Sequence, residues 1–366
     1  MEAVMKKFCS AVLVASVIAS LSANSFAMGI FMRPGAKANC SGGATGATSG
    51  DVTAICSNPA ALSVLEGSGV MFSTYNLDLA VKASGAINGD YKVSGPIPFL
   101  AAYQSYNEYV FALGIYVPGG ASGKADNVVM PTALGLAPVS VEGQQMYMAA
   151  NFSVSRQITA RLAAGLGVDF IYTSLMQKMS LAGLQVLDTS VNGNGYEFNG
   201  GVTYKISDNI RAGAFARSGA LLRFKDSAGS SIIYPVVYGA GADFEVTEDL
   251  KLSAGADIHK YSSYADKWKD MPMYHAGALY DVNEKIYVGM GLQYELSAVS
   301  PEDVAVPLFD TNKFAETIVS LGTGYDFGKC RVSLLYAYGL SDKVTVAGTD
   351  YVFNGGTWGL DIAYKF

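Results

Sequence analysis

The sequence predicts an all-β fold: a transmembrane antiparallel β-barrel of about fourteen strands with an N-terminal hatch, or plug, in its lumen. Three observations carry the prediction. In the last ten residues Trp358, Leu360, Ile362, Tyr364 and Phe366 share one face of an extended strand, and Gly359, Asp361, Ala363 and Lys365 share the other. Such a strand suits a wall with lipid outside and a polar bore inside. Second, 50% of the 366 residues are hydrophobic and only 15% are charged. Yet beyond the N-terminus no apolar run reaches the roughly 18 to 20 residues that a spanning helix needs. Lipid cannot satisfy backbone polar groups, so a membrane chain without such helices closes its strands into a barrel. Third, strand-like segments recur about fourteen times, an even number that puts both chain ends on one side of the membrane.

Residues 1–27 read as a signal peptide. Lys6 and Lys7 form the basic region, Phe8 to Leu21 the apolar region, and Ser25-Phe26-Ala27 a small-x-small cleavage site ahead of Met28. Export leads to an oxidising compartment. The formal charge is −6, and removing one acid and two bases with the leader makes it −7. No basic run is present, which argues against a nucleic-acid partner. Cys40, Cys56 and Cys330 remain after cleavage. A Cys40–Cys56 disulfide is expected, closing a loop of about 15 residues and contributing on the order of 3 kcal/mol; the alternative is two buried free thiols. The cysteines lack paired spacing and the histidines are His259 and His275 alone, so neither a metal site nor a cofactor is expected.

Residues 28–66 form the second unit, rich in Gly and small polar residues rather than strand-like. Asn58 is a candidate helix N-cap, with Pro59 at the first helical position of a short apolar run to Leu65. A compact segment ahead of a barrel is buried most naturally in the lumen. The order of small-residue run, Asp51 and Ser57-Asn58-Pro59-Ala60-Ala61-Leu62 resembles the hatch of the FadL-type long-chain fatty acid and hydrophobic-compound transporters of the outer membrane. Pro96-Ile97-Pro98 followed by Phe111-Ala112-Leu113-Gly114-Ile115-Tyr116-Val117-Pro118-Gly119-Gly120 is similar to that family's second and third strands. The resemblance implies a hatch around Asn58, Pro59 and Ala60. It also implies a lateral wall gap near Pro96, Pro98, Gly114, Pro118 and Gly119, where prolines cannot donate ladder hydrogen bonds and glycines loosen pairing.

Residues 67–366 are the barrel. Met71, Tyr75, Leu77 and Leu79 share one face of the first strand, and Tyr109, Phe111, Leu113, Ile115 and Val117 one face of the third. Leu162, Ala164, Leu166, Val168, Phe170 and Tyr172 oppose Arg161, Gly165, Gly167 and Asp169; similar alternation runs from Leu250 to Ile258, Ile286 to Tyr294 and Val332 to Tyr338. Short polar turns such as Ser207-Asp208-Asn209 and Phe327-Gly328-Lys329 alternate with longer connections at 121–142, 174–195, 262–269, 297–312 and 342–356, which are expected to be outer loops. A soluble sandwich would carry a charged outer face where this chain has Gly, Ala and Ser.

Several positions expected to face the lumen are apolar: Phe72, Tyr116, Tyr147, Ile171, Phe215, Ile233, Val237, Tyr287 and Leu335. They are candidates for a substrate pocket, with Arg211 and Arg217 as cations that meet either a ligand carboxylate or acids such as Asp169 and Glu197. Met176, Met179, Leu181 and Leu184, in a stretch expected to be a loop with a helical apolar face, are candidates for a groove that captures hydrophobic molecules from outside. The expected function is passive transport of hydrophobic compounds, fatty acids or aromatic hydrocarbons, across the outer membrane of a Gram-negative bacterium with lateral release. The alternative is a structural or adhesive barrel whose loops bind partners. His259, His275 and nearby serines form no nucleophile motif, so an enzyme is not expected. By resemblance, the C-terminal strand would address the barrel-assembly machinery, and the protein would sit in outer-membrane lipid as a monomer.

Overall fold

The structure, a computed structural model, describes residues 33–44, 50–132, 135–224, 231–263, 268–299 and 314–366. The expected leader, its cleavage site and parts of the expected outer loops at 262–269 and 297–312 lie outside the described residues.

Period-two alternation becomes a closed antiparallel barrel of fourteen strands. They are β1 (Ser68–Gly85), β2 (Gly89–Tyr106), β3 (Tyr109–Thr132), β4 (Gly135–Gln157), β5 (Leu162–Leu181) and β6 (Leu184–Ser207). The next two each have two segments: β7 is Ile210–Arg217 with Ala220–Phe224, and β8 is Ser231–Tyr234 with Val237–Glu245. The remainder are β9 (Leu250–His259), β10 (Met271–Asn283), β11 (Ile286–Glu295), β12 (Glu316–Asp326), β13 (Cys330–Ser341 with Val344–Val346) and β14 (Thr349–Lys365). Each strand pairs with its neighbours in sequence, and β14 returns to β1 from Gly69↔Lys365 to Gly85↔Thr349, which removes any free edge along that seam.

Large apolar side chains lie exposed on the outer face, among them Leu113 at 61%, Leu166 at 68% and Trp358 at 65%. That is the lipid-facing band a membrane barrel requires. Its final strand carries Trp358, Ile362, Tyr364 and Phe366 outward and Asp361 inward, as the alternation predicts.

The strands are unequal. β1 to β6 run 18 to 24 residues, whereas β9 and β11 have 10 each. Roughly 9 to 11 tilted residues suffice to cross a bilayer, so the first six strands continue past it on the side opposite the short turns. This corrects the expected outer loops at 121–142, 174–195 and 342–356, whose described residues lie mostly in paired strands. Ala182 (φ 50°) and Gly183 (φ 81°) make a two-residue turn between Leu181 and Leu184, a conformation whose twist matches that of the flanking strands. Because the period there is two and not 3.6, Met179 points into the bore while Met176 faces the other way and Leu184 is exposed; the four residues do not form one helical groove.

Residues 33–44 and 50–65 lie inside the cylinder. Helix α1 (Ala36–Cys40) is followed by two 3₁₀ turns, Val52–Cys56 and Pro59–Val64. Asp51 caps the first by accepting from the Thr53 amide at 3.0 Å, and Asn58 caps the second by accepting from Ala60 at 3.1 Å. Wall glycines make the close approach possible. A Cβ on Gly165 would fall onto the Pro59–Ala60 peptide, and one on Gly291 onto the Asn39 carbonyl.

The expected Cys40–Cys56 disulfide is absent, and Cys40, Cys56 and Cys330 are free thiols. Cys40 sits in α1 with its sulfur against Gly322 of β12, whereas the Cys56 carbonyl accepts from Arg217 of β7. Helix α1 and the first 3₁₀ turn are held by different parts of the wall, so spacing along the chain did not translate into proximity. Burial pushes the Cys40 thiol up to about 12, which leaves it protonated and inert.

Candidate functional site

The ladder between β2 and β3 is interrupted. Their ladder runs from Tyr106↔Tyr109 to Phe99↔Tyr116, then stops and resumes only at Ser94↔Ser122. Gly95 to Pro98 have no partner on β3, although the same residues stay paired with β1 on their other side. Three local causes coincide. Pro96 and Pro98 have no amide hydrogen to donate. Gly95 takes φ 148°, a conformation open to glycine and strained for other residues. On β3 a bulge intervenes: Tyr116 pairs with Ala149 of β4 and Gly119 with Tyr147, so Val117 and Pro118 face the single residue Met148. The bulge also turns Val117 into the bore, where it is buried, rather than leaving it on the lipid face that strict alternation gave it. Gly114 is not at the interruption. It pairs with Ala101 in the intact ladder, and its missing side chain makes room for Ile55 of the luminal segment.

Behind Val117 and Pro118 lies a cavity partly open to solvent, which spans about 570 Å³ only with the open solvent in its mouth counted. Its walls are Arg33, Pro34 and Cys56 from the luminal segment, Tyr116 to Pro118 from β3, and Phe215, Arg217, Tyr234, Val237, His259 and Met273 from β7 to β10. Above it, the inner face of the extended strands is apolar. Val81, Val93, Val128, Val141 and Met179 form one buried cluster with Val117, so Val117 belongs both to that cluster and to the cavity.

A charged network closes the cavity's inner side. Asp169 and Glu197 are register partners on β5 and β6 and are both fully buried. Arg217 reaches both, with Nη2 at 2.9 Å from Asp169 and 2.5 Å from Glu197, and its Nε is 3.2 Å from Glu197. Tyr116 and Asn151 donate to Asp169 Oδ1 at 3.0 and 2.9 Å, and Asn199 donates to Oδ2 at 2.7 Å. The remaining guanidinium nitrogen of Arg217, Nη1, donates to the Cys56 carbonyl at 2.7 Å. On the opposite side Arg33 pairs with Asp257, which also meets His275 Nε2 at 3.2 Å. Buried charges persist where they are paired and hydrogen-bonded in this way.

The luminal segment is tied elsewhere as well. Asn58 Nδ2 donates to the Val202 carbonyl at 3.1 Å, Ser155 Oγ to the Ala60 carbonyl at 3.1 Å, and Ser320 Oγ to the Asn39 carbonyl at 2.6 Å. Asp361 accepts from Ser73, Tyr75 and the Ala36 amide.

Of the residues singled out from sequence, Tyr116, Phe215, Val237 and Arg217 line the cavity. Tyr147 is buried against Tyr234, ring centroids 5.3 Å apart, and Ile171 is buried on the same inner wall. Tyr287 and Leu335 face inward in a different place, beside α1, with Lys37 Nζ 4.8 Å from the Tyr287 ring centre. Arg211 lies at the turn end of β7, in register with Lys205 and Asp243, away from Arg217.

Two assignments are corrected. Phe72 is 42% exposed on the outer face, because Tyr75, Leu77 and Leu79 line the apolar upper bore and put the intervening residues outside. Ile233 is 38% exposed, because Pro235 and Val236 interrupt β8 and shift its parity, so that Tyr234 and Val237 both face inward. The same interruption hid Tyr234 from the sequence reading. Arg33, Pro34, Cys56, His259 and Met273 were also missed as cavity residues; only the folded position of the luminal segment brings them together.

No protein-family model and no curated protein sequence matches the chain. Solved structures do. The Pseudomonas putida toluene transporter TodX is 16% identical, over 91% of this chain and 98% of that one, with a TM-score of 0.74. A Pseudomonas aeruginosa FadL homologue is 15% identical over 86% and 94%, with a TM-score of 0.72. The Ralstonia pickettii toluene transporter TbuX is 17% identical over 92% and 99%, with a TM-score of 0.67. With fourteen strands, a filled bore and an interrupted β2–β3 ladder already described, these matches identify the fold as that of the FadL-type barrels over most of the chain.

Proposed function

We propose that this protein carries hydrophobic compounds passively across the outer membrane of a Gram-negative bacterium and releases them sideways between β2 and β3. The observation that carries this reading is the missing ladder at Gly95–Pro98 with the cavity directly behind it, sharing Val117 and Pro118. The apolar inner face of the extended strands leads from outside to that same residue. A hydrophobic solute would gain about 25 cal/mol per Å² of apolar surface removed from water at each stage, and no nucleotide or metal is needed. In this reading residues 28–66 act as a hatch that blocks straight passage down the bore, with Asn58, Pro59 and Ala60 seated on the wall. TodX and TbuX bear the names of toluene transporters, which supports hydrophobic cargo for this chain.

The test is to close the opening. With Cys40, Cys56 and Cys330 changed to Ser, Pro96→Cys and Gly119→Cys are joined by a bifunctional cross-linker, and cells are assayed for uptake of radiolabelled fatty acid or toluene. Uptake should be lost on cross-linking and should return with a cleavable linker after reduction. Uptake unchanged by the link rules out the lateral route. Uptake equal in cells lacking the protein rules out transport and favours a structural or adhesive barrel.

A further inference from the structure

We infer that the cavity behind Val117 and Pro118 selects uncharged hydrophobic molecules and rejects carboxylates, so the cargo class is neutral hydrocarbons rather than ionised fatty acids. This rests on the transport reading above and narrows it.

The argument is one of charge and donors. Two guanidinium groups line the cavity, and on sequence alone either could meet a ligand carboxylate. Neither is free to do so. Arg217 is held by two buried carboxylates, Asp169 and Glu197, through Nε and Nη2, while Nη1 is taken by the Cys56 carbonyl. Arg33 is held by Asp257. Two cations are thus met by three carboxylates, one of which is also in contact with His275. Arg217 by itself is met by two acids, one more than its charge needs.

A ligand carboxylate reaching Arg217 would be the third anion around one cation, in a site where like charges are poorly screened. It would also give up its own hydration with no compensating charge. A neutral ring or chain meets no such penalty, since Val117, Pro118, Phe215, Val237 and Met273 present apolar surface to it. The acids therefore act as specificity-determining residues that never touch the ligand: they use up the positive charge.

The test uses the mature protein in nanodiscs at pH 8, titrated calorimetrically with toluene and with benzoate against empty nanodiscs. These probes share a ring and differ in charge. The wild type should bind toluene at least about tenfold more tightly than benzoate, a difference of about 1.4 kcal/mol. In Asp169→Asn/Glu197→Gln, benzoate affinity should rise by at least about tenfold and toluene affinity should hold. Benzoate binding by the wild type as tight as that of toluene overturns the inference and leaves transport standing. So does a folded double variant, verified by heat-dependent gel mobility, that gains nothing for benzoate. Absence of binding by either probe overturns both the inference and the transport reading. If the double variant fails to fold, the wild-type comparison alone decides.

Discussion

Arg217 of β7 and Cys56 of the luminal segment are joined by a 2.7 Å hydrogen bond from Nη1 to a backbone carbonyl. Through it the buried acids of β5 and β6 hold a piece of chain more than one hundred residues away in sequence. Removing the arginine therefore does two kinds of damage: it strands two carboxylates and releases the 3₁₀ turn. Arg217→Met is expected to cost about 3 to 5 kcal/mol, the range for breaking a buried charge pair from one side, read as a lower urea midpoint in detergent micelles. Adding Asp169→Asn and Glu197→Gln should recover part of the loss.

Proline content at the ladder interruption predicts a second outcome. Pro96→Ile together with Pro98→Ile restores two amide donors facing a stretch of β3 that lacks partners. Hydrocarbon uptake into proteoliposomes should fall severalfold while heat-dependent gel mobility stays that of the folded barrel. Undiminished uptake would mean that the unpaired backbone plays no part in release.

Seating of the luminal segment depends on missing side chains in the wall. Gly165→Val puts a branched group where the Pro59–Ala60 peptide lies, so either the wall or the segment must give way. The expectation is a raised ion conductance in planar bilayers, because the strands are locked by neighbours on both sides and the segment is not. Asn58→Ala, which removes the cap and the Val202 contact, should act in the same direction at a cost of about 1 kcal/mol.

A pH dependence follows from Lys37. Burial, reinforced by the nearby positive charge of Arg331, lowers its pKa from 10.5 to about 8. Between these values the unfolded chain binds a proton that the folded one does not, so stability rises with pH from about 8 to 10.5 and the penalty is present in full below 8. Lys37→Met should stabilise the barrel at pH 7 and flatten that rise in urea-unfolding midpoints.

The cysteines offer a simple check. Unfolded in urea without reductant, the protein should take up iodoacetamide at Cys40, Cys56 and Cys330, as three free thiols require. Intact mass after alkylation reads the result directly.

Strand pattern was legible because lipid imposes one rule on every outward side chain. Trp358 to Phe366, Leu166 to Tyr172 and Val332 to Tyr338 all fall on the face that alternation assigns them. Legibility failed where the bore is itself apolar or the ladder slips. Phe72 was misassigned because Leu77 and Leu79 line a greasy interior, and Ile233 because a two-residue interruption reverses parity. Met176 and Met179 were read as neighbours on a helix although they sit on opposite faces of a strand. The interruption of the β2–β3 ladder was visible from Pro96 and Pro98, whose chemistry forbids donation in any fold. Cavity residues contributed by the luminal segment, such as Arg33 and Cys56, carried no periodic signal, since their position depends on which glycines of the distant wall leave space.

The unequal strand lengths bear on how the cell surface is attacked. On the side of β1 to β6 peptide bonds stay locked in ladders far beyond the headgroups, so a protease added to intact cells finds little slack backbone there apart from hairpin tips. On the side of β9 and β10 the ladder is much shorter and the barrel stands lower. The tall flank should therefore resist nicking.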